Sequence, residues 1–386
     1  MSTPATRPRI LVLAEWYVPG WKAGGPIRSL ANLVAALGDR FEFRIITQDR
    51  DHGDTKPFDG VAFDEWTEVG DASVFYGRPA TLRWRSLGRI IQETAPDLVV
   101  LTGLFPLLTI RYLFLRRLRR IVQTPAVILP QGQFDTDALA LKSLKKRAFI
   151  RFAKILGLTR GVDWQATTAA EAERVRSVFP GTSPYVASDL PAKPLPQPWP
   201  LPRKEPGACS FVSIARISPM KNLPFIVERL STLTGEVELT LYGHREAEEW
   251  SRVERVIGSL PDHIRVAYGG VPQHDEVNDA LAQCHFSVLP TLGENFGHAI
   301  YESLQGGRPA VISDRTPWRN LAAEGAGWDL ALEDTDSWVE TLQHCVDMDQ
   351  AEYGELAYRS HAFAVRWFAE SKIDRQQAEV FDRLLG

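Results

Sequence analysis

Short, continuous apolar runs alternate with segments of helical periodicity along most of this 386-residue chain. A strand that is apolar throughout belongs to a parallel sheet covered by helices on both faces, since a half-exposed strand would alternate apolar and polar residues. The predicted strands are Arg9–Ala14, Phe41–Thr47, Leu98–Leu101, Ala126–Pro130 and Asp163–Ala166 in the first half, and Ser210–Ala215, Val237–Tyr242, Ile264–Ala267, Phe286–Pro290, Ala310–Ile312 and Gly327–Leu330 in the second. Each half therefore predicts its own doubly wound, Rossmann-like α/β domain, in which ligands bind at the carboxyl ends of the strands.

A proline-rich segment separates the two halves. Seven prolines lie within Pro191–Pro206, and a chain that lacks so many N–H donors runs as an extended polyproline-type segment. Strand-like sequence resumes directly afterwards, which favours an interdomain linker over a recognition peptide. We predict an N-terminal domain over residues 1–190, a linker over 191–206, a C-terminal domain over 207–368 and a helix over 369–386 that packs back on the N-terminal domain.

The composition is that of a folded protein without membrane spans. Apolar residues make up 44% and charged residues 24% of the chain, which excludes wholesale disorder. No run approaches the roughly 18 apolar residues of a membrane span, and the N-terminal region lacks the apolar stretch of a signal peptide. Three widely spaced cysteines exclude a disulfide scaffold and a cysteine zinc cluster. We expect a cytoplasmic protein.

The net charge of −4 hides an asymmetry between the halves. Residues 1–190 contain 26 Lys and Arg against 19 Asp and Glu, and the remainder contains 18 against 29. A basic half and an acidic half indicate that the two halves bind different partners. The alternative is random variation of surface charge between two domains.

Two cations lie in the loop that leaves the first strand of the second half. Arg216 and Lys221 are five residues apart in the segment 213–222. Fixed cations stabilise the negative charge that develops on a diphosphate leaving group, and Arg binds phosphate oxygens with a planar fork. The alternative is a solvated helix start.

The segment Pro290–Glu302 combines a strand end, a glycine-containing loop and a helix start. The N–H groups of Phe296, Gly297 and His298 would face an anion at that helix N-terminus. Glu294 and Glu302 are placed to accept hydrogen bonds from hydroxyls on two parts of one ligand. They could equally be a helix-start carboxylate and an exposed helical residue.

Gly24 and Gly25 follow the first strand of the chain and its loop. Glycines there let the backbone approach a phosphate closely, although a simple turn explains them too. The pattern is not the Gly-x-Gly-x-x-Gly fingerprint, so NAD binding has little support.

These motifs together form a recognisable signature. Glu294 and Glu302, with seven residues between them, precede Ser303–Pro309 with the sequence Ser-Leu-Gln-Gly-Gly-Arg-Pro. The chain resembles the retaining glycosyltransferases of family 4 (glycosyl transferases group 1), which have the two-Rossmann GT-B fold. The resemblance covers residues 211–332, and is looser in the first half, where it rests on the opening strand, the Gly24–Gly25 loop and the Pro130–Gly132 loop.

The resemblance implies two domains that face each other across a cleft and bind a nucleoside diphosphate-sugar donor as co-substrate. Arg216 and Lys221 would hold the diphosphate, Glu294 the sugar hydroxyls, and Glu302 the ribose; Arg216, Lys221 and Glu294 are the candidate catalytic residues. The full set of candidate donor-binding residues is Gly24, Gly25, Arg216, Lys221, Tyr242, Gly243, Val271, Glu294, Asn295, Phe296, Gly297, His298 and Glu302.

Two loops depart from the family pattern. Many relatives have a histidine in the loop where Gln131 stands, and His52 is the only histidine of the first half. The predicted acceptor-side residues are Gln131, Gly132 and Asp135, with Asp135 or Asp137 in contact with the acceptor hydroxyl. The loop at residues 313–320 lacks the glutamate of many relatives, which makes Trp318 a candidate stacking surface for the sugar.

We expect no metal and no other cofactor. Asp-x-Asp occurs four times in a chain with 48 acidic residues, which is close to chance, and the cations at 216 and 221 would supply the charge of a metal ion.

The positive charge of the first half is concentrated in two segments. Arg111–Arg120 contains five arginines, and Lys142–Lys154 contains six basic residues and no acid. In the latter, Leu144, Phe149, Ile150 and Phe152 alternate with the cations at helical spacing, as in an interfacial helix. We expect an anionic membrane surface at the inner face of the plasma membrane as a partner, and no nucleic acid. An ordinary core-facing helix with a basic outer face is the alternative.

The sequence thus predicts a metal-independent retaining hexosyltransferase. It would transfer sugar from a nucleoside diphosphate donor to an acceptor hydroxyl, that of a lipid-linked glycan in cell-surface polysaccharide synthesis. The alternatives are a non-hydrolysing sugar-nucleotide epimerase, which would consume donor without an acceptor, and a non-catalytic sugar-nucleotide-binding protein.

Overall fold

A computed structural model describes residues 7–134, 143–273 and 276–386. The chain divides into two compact units. The first contains the chain up to Leu190 together with Lys372–Gly386, and the second is Pro191–Ser371. Each unit is built around its own sheet.

The first unit contains an eight-stranded sheet with the order β3-β4-β2-β1-β5-β6-β7-β8. All neighbouring strands are parallel except the antiparallel pair β3 and β4. The strands are β1 (Arg9–Leu13), β2 (Glu42–Gln48), β3 (Trp66–Val69), β4 (Ala72–Gly77), β5 (Leu98–Thr102), β6 (Ala126–Leu129), β7 (Asp163–Ala166) and β8 (Tyr185–Val186). The described helices are α1 (Gly25–Leu37), α2 (Trp84–Thr94), α3 (Leu107–Arg117), α4 (Ser143–Ile155) and α5 (Ala169–Val178).

The second unit contains a six-stranded, wholly parallel sheet with the order β11-β10-β9-β12-β13-β14. Its strands are β9 (Ala208–Ile214), β10 (Glu236–Tyr242), β11 (Ile264–Gly270), β12 (Phe286–Leu289), β13 (Ala310–Ser313) and β14 (Gly327–Leu330). Its described helices are a 3-10 turn (Pro219–Lys221), α6 (Leu223–Leu230), α7 (Ala247–Ile257), α8 (Glu276–Ala282), α9 (His298–Gln305), α10 (Leu321–Glu324), α11 (Thr335–Asp347) and α12 (Gln350–Ser371).

Helices cover the sheet in each unit, which explains why its central strands are runs of apolar residues. In β5 the residues Leu98–Leu101 are all fully buried, and β12 and β13 are buried at every position. The prediction of two Rossmann-like α/β domains is therefore confirmed.

Three strands of the first unit have no counterpart among the predicted ones: β3, β4 and β8. The strands β3 and β4 form a hairpin around Gly70 and Asp71, with Val69 opposite Ala72. A Gly-Asp pair between two β-prone runs is a hairpin signal, and it could have located both strands.

The last helix, α13 (Ile373–Leu385), belongs to the first unit, as predicted. Phe381 packs edge-on against Phe41 with ring centroids 5.7 Å apart. The buried Gln377 accepts a hydrogen bond from Gln165 at 2.8 Å, and Asp382 forms an ion pair with Arg40. The chain thus returns to its N-terminal half after completing the second unit.

The proline-rich segment belongs to the second unit. Leu195 N–H donates to Gln305 at 3.2 Å, and Arg308 lies over the ring of Trp199. The buried Lys204 ammonium donates to three carbonyl groups, those of Glu205, Val346 and Met348. The segment is therefore packed onto this unit along its length rather than running free between two domains.

Candidate functional site

Four loops meet at the carboxyl edge of the second sheet. The strands β10, β9, β12 and β13 are adjacent and parallel, so their following loops all leave the same edge. This is the edge at which α/β sheets bind ligands. It carries the motifs that the sequence analysis assigned to the donor.

Lys221 and Glu294 form an ion pair across this edge. Lys221 ends the 3-10 turn after β9, and Glu294 lies in the loop after β12. Their side chains are 17% and 15% exposed, so the pair is sheltered but reachable. The structure therefore brings together a predicted phosphate-binding cation and a predicted sugar-binding carboxylate that are 73 residues apart in sequence.

Backbone hydrogen bonds hold the loops that carry this pair. The Met220 carbonyl accepts from Leu292 N–H at 2.8 Å and from the Thr291 hydroxyl at 3.0 Å. Glu294 N–H donates to the Arg315 carbonyl at 3.1 Å, which ties the loop after β12 to the loop after β13. The geometry of the pair is thus set by three loops that brace one another.

Arg216 occupies a more open position. Its guanidinium lies 3.6 Å from the Glu246 carboxylate, and its side chain is 57% exposed. The turn after β10 holds this loop: Ile217 N–H donates to the His244 carbonyl at 2.8 Å. Gly243, with φ 134°, is required there because a β-carbon would lie 1.9 Å from the Ala215 carbonyl oxygen. Arg216 therefore lies on the same edge, paired with a glutamate that the sequence analysis missed.

The N-terminus of α9 opens on this edge. Gly297, with φ 82°, is the residue before the first helical turn. The N–H groups of Asn295, Phe296 and Gly297 donate to no acceptor among the described residues. Free N–H groups at a helix N-terminus are a site for a negatively charged ligand group.

A buried aromatic cluster supports this loop from beneath. The Trp318 indole N–H donates to the Phe296 carbonyl at 2.6 Å. The ring of Trp318 lies 4.7 Å from that of Trp367 and stacks on Tyr301 at 5.8 Å. Trp318 is only 2% exposed, so the prediction that it stacks on the sugar is wrong. It positions the loop from the protein side instead.

Some of the other candidate donor residues are buried, and others are partly exposed at this edge of the sheet. Glu302 and His298 lie in α9 and are buried, which is not the environment of an exposed helical carboxylate. Tyr242 ends β10, where its ring fills the space beside Gly269. Val271 directly follows β11 and is partly exposed.

In the first unit, Gly24 and Gly25 begin α1. Gly24 has φ 69° and open space where a β-carbon would stand. Trp21 and Lys22 N–H groups donate to the buried Asp51 carboxylate at 2.7 and 3.0 Å. The turn is therefore open at Gly24, and the Asp51 carboxylate holds the residues just before it.

The predicted acceptor loop follows β6. Gln131 and Gly132 both have positive φ, 51° and 77°. Gly132 N–H donates to the fully buried Glu171 at 2.6 Å, and the other carboxylate oxygen accepts from Thr167 N–H at 2.7 Å. The Gly132 amide is therefore engaged by a carboxylate that the sequence analysis missed. Asp135 and Asp137 lie outside the described residues.

A small cavity of about 20 Å³ lies beside this loop. Its lining includes Ser29, Thr102, Gln131, Gln165 and Asp189. Burial raises the pKa of Asp189 to about 7, and the nearby charge of Glu171 acts in the same direction. The carboxyl edge of the first sheet thus contains two acidic groups close together.

Two classes of site are absent from the described part of the chain. No group of three or more His, Cys, Asp or Glu side chains there is placed to hold a metal ion. No helix in that part is long and apolar enough to cross a membrane. The cysteines Cys209, Cys284 and Cys345 are buried thiols.

Comparison with solved structures shows the class of fold. Sucrose-phosphate synthase from Thermosynechococcus elongatus aligns with a TM-score of 0.72 at 16% identity, over 98% of this chain and 99% of that one. HepE from Anabaena, in complex with UDP and glucose, aligns with a TM-score of 0.65 at 16% identity, over 98% and 100%. WaaG, a glycosyltransferase involved in lipopolysaccharide biosynthesis, aligns with a TM-score of 0.64 at 14% identity, over 95% and 98%. The chain has the GT-B fold.

A family model matches part of the second unit. Residues 208–348 match the model described as glycosyl transferases group 1, a range that contains the Lys221–Glu294 pair and α9. No curated protein sequence matches the chain significantly. Residues 208–348 are therefore similar to the glycosyl transferases group 1, and the chain as a whole has the GT-B fold.

Proposed function

We propose that this protein transfers a hexose from a nucleoside diphosphate-sugar to an acceptor hydroxyl with retention of the anomeric configuration. The acceptor would be a lipid-linked glycan of cell-surface polysaccharide synthesis. The donor would bind at the carboxyl edge of the second sheet, and the acceptor would bind to the basic first unit. Neither step would need a metal ion.

The sheltered Lys221–Glu294 pair carries this proposal. A cation and a carboxylate neutralise each other while the site is empty, and each gains a new partner when a sugar diphosphate enters. The Lys221 ammonium would move to phosphate oxygens as a point charge. Glu294 would accept hydrogen bonds from sugar hydroxyls as an ionised carboxylate.

The remaining groups on the edge complete the donor site. Arg216, exposed and only loosely paired with Glu246, would bind the diphosphate with its planar fork. The free N–H groups of Asn295 to Gly297 would face the same negative charge. Glu302 would bind the ribose, and Tyr242 and Val271 would border the base.

Bond cleavage would be assisted by charge stabilisation on the leaving diphosphate. Negative charge grows on its oxygens as the sugar–oxygen bond breaks, and preorganised cations and N–H groups stabilise that charge. A leaving-group oxygen would take the acceptor proton, and the acceptor oxygen would bond to the anomeric carbon on the same face. Holding the two substrates together would supply much of the acceleration.

Donor binding is tested by thermal shift with a series of nucleoside diphosphates and their sugars. We expect one nucleotide to raise the melting temperature of the wild-type protein, and to raise it less in Lys221→Ala and Glu294→Gln. Arg265→Ala, which removes an exposed cation outside the site, is the matched control. A shift that is the same in all four proteins would contradict this donor site.

Chemistry is tested with the donor found in that way. Unchanged turnover in EDTA is expected, whereas loss of activity in EDTA and its rescue by manganese would contradict metal independence. An NMR spectrum of the product reads its anomeric configuration directly, and inversion would refute the proposed stereochemistry. Donor consumption without acceptor would indicate an epimerase.

A further inference from the structure

Helix α4 carries two apolar stripes where a surface helix of a soluble protein needs one. Its inner side packs into the core of the first unit through Ile150 and Ala153. Leu144, Phe152 and Ile155 lie on the outer side, 83%, 46% and 73% exposed. Their spacing of eight and eleven residues from Leu144 places them on one face of the helix. This corrects the face predicted from sequence, since Ile150 is buried and Phe149 packs against the core.

The outer apolar stripe continues onto the neighbouring helices. The ring of Phe152 lies 6.1 Å from that of Phe114 in α3, and Phe114 meets Trp84 of α2 edge-on at 5.6 Å. Leu107 lies seven residues before Phe114, on its face of α3, and Leu118 directly follows the helix; both are exposed. Seven of the ten exposed large apolar side chains among the described residues belong to this region: Trp84, Leu107, Leu118, Val122, Leu144, Phe152 and Ile155.

Exposed cations surround this apolar surface. Lys145, Arg147, Arg151 and Lys154 are the exposed basic residues of α4, and Arg117, Arg119 and Arg120 end α3 or follow it. Residues 107–125 and 143–160 contain no Asp or Glu. Apolar side chains interleaved with cations on one face are typical of a helix that lies in a membrane interface. The long Lys and Arg side chains reach headgroups while the apolar groups enter the acyl boundary.

We propose that the outer faces of α2, α3 and α4 form a docking surface for an anionic lipid leaflet. This proposal depends on the proposed function only for the reason why the protein would bind a membrane, which is to hold the enzyme where a lipid-linked acceptor lies. The charge selects lipid over a second copy of the chain, because a symmetric dimer through this surface would bring like charges together. The apolar side chains insert and the cations add attraction to the negative surface.

Vesicle flotation of the full-length protein tests this surface. The vesicles contain phosphatidylcholine alone or phosphatidylcholine with phosphatidylglycerol. We expect the wild-type protein to float with the anionic vesicles and much less with the neutral ones. The double variant F152E/I155E should bind the anionic vesicles at least about tenfold more weakly, because two anchors are lost and two negative charges are added.

A second double variant separates charge from insertion. K145E/R151E should also weaken binding, and the wild-type attraction should fall with added salt because exposed charges are screened. The matched controls are Tyr358→Glu and Arg255→Glu, exposed residues of the second unit, which should float like the wild type. Circular dichroism and melting temperature confirm that each variant is folded.

Three results would overturn the proposal. The first is no flotation with anionic vesicles at low salt, and the second is flotation that F152E/I155E does not reduce. The third is a wild-type dimer that this variant converts to a monomer without any lipid binding. The nucleotide-induced thermal shift is measured on the same variants. If a variant loses flotation but keeps the thermal shift, the lipid-binding surface is separate from the donor site. If the wild-type protein floats but no nucleotide shifts its melting temperature, the donor site alone is refuted.

Discussion

The carboxyl edges of the two sheets use their acidic residues in opposite ways. In the first unit, Glu171 is fully buried and accepts hydrogen bonds from the Gly132 N–H and from the N–H and hydroxyl of Thr167. In the second unit, Glu294 is partly exposed and neutralised by Lys221. A buried, saturated carboxylate holds a loop in place, whereas a reachable ion pair has charges that a ligand can recruit. The difference supports our proposal that the second edge binds a charged substrate.

The largest expected effect comes from breaking the reachable pair. Lys221→Ala and Glu294→Gln should each lower kcat/KM by roughly 10²–10³, the typical cost of removing one electrostatic contact to a transition state. Each variant should lower the free energy of unfolding less than Glu171→Ala does, because water still reaches the partner that is left without its counter-charge. Steady-state kinetics with the donor identified by thermal shift measures kcat/KM. Activity within threefold of wild type would remove the contrast between the two edges.

Breaking the buried carboxylate should instead cost stability. Glu171→Ala leaves the N–H groups of Gly132 and Thr167 without their acceptor, so the free energy of unfolding should fall by about 3 kcal/mol. Glu173→Ala, on the same helix but exposed, should change it by less than about 0.5 kcal/mol. Urea denaturation measures both. Equal effects of the two variants would show that Glu171 does not hold the loop.

The neighbouring Asp189 should give the first unit a pH-dependent stability. Burial, and secondly the charge of Glu171, raise its pKa to about 7, so the folded protein holds this proton more tightly than the unfolded chain. Its contribution to stability is therefore present at low pH and is lost as the pH rises from about 4 to about 7. Asp189→Asn should raise the free energy of unfolding at pH 8 by about 1–2 kcal/mol and change it little at pH 4.

The control for that change is Asp59→Asn, an exposed carboxyl of the same unit. It should leave the pH dependence of unfolding unaltered. The free energy of unfolding is measured from denaturation curves between pH 4 and pH 8. This interval is set by the usual and the raised pKa of Asp189. An Asp189→Asn curve parallel to that of the wild type would show that this carboxyl does not titrate with folding.

The smallest effect concerns the aromatic support of the second edge. Trp318→Phe removes the hydrogen bond to the Phe296 carbonyl and keeps most of the ring packing. Stability should fall by about 1 kcal/mol, and nucleotide affinity should fall with it, because the free N–H groups of residues 295–297 lose their anchor. Isothermal titration with the nucleotide and urea denaturation give the two values. Unchanged affinity would mean that the loop keeps its geometry without this bond.

Much of the fold could be predicted from local patterns. The strands predicted at Phe286–Pro290 and Ala310–Ile312 agree with β12 and β13 to within one residue, because both strands are buried at every position and are mostly apolar. The hairpin β3–β4 was missed because its first strand is short and only partly buried. Its turn residues, Gly70 and Asp71, held the available signal.

The candidate site could be predicted only as a list of residue types at strand ends. The motifs indicated that Lys221 and Glu294 lie on one edge, since both follow parallel strands of one sheet. They contained no sign of Glu246, Glu171 or Asp189, whose roles depend on neighbours far away in sequence. They also placed Trp318 against the sugar, although an aromatic residue in a loop is equally suited to the core.

The sequence by itself determined the α/β class and the two Rossmann-like halves, because apolar periodicity and strand length are local properties of the chain. Tertiary structure alone decided which charges pair, which carboxylates are buried, and which stripe of α4 faces outward. Those outcomes depend on burial and on distances between residues from different loops, and neither quantity is encoded in local spacing.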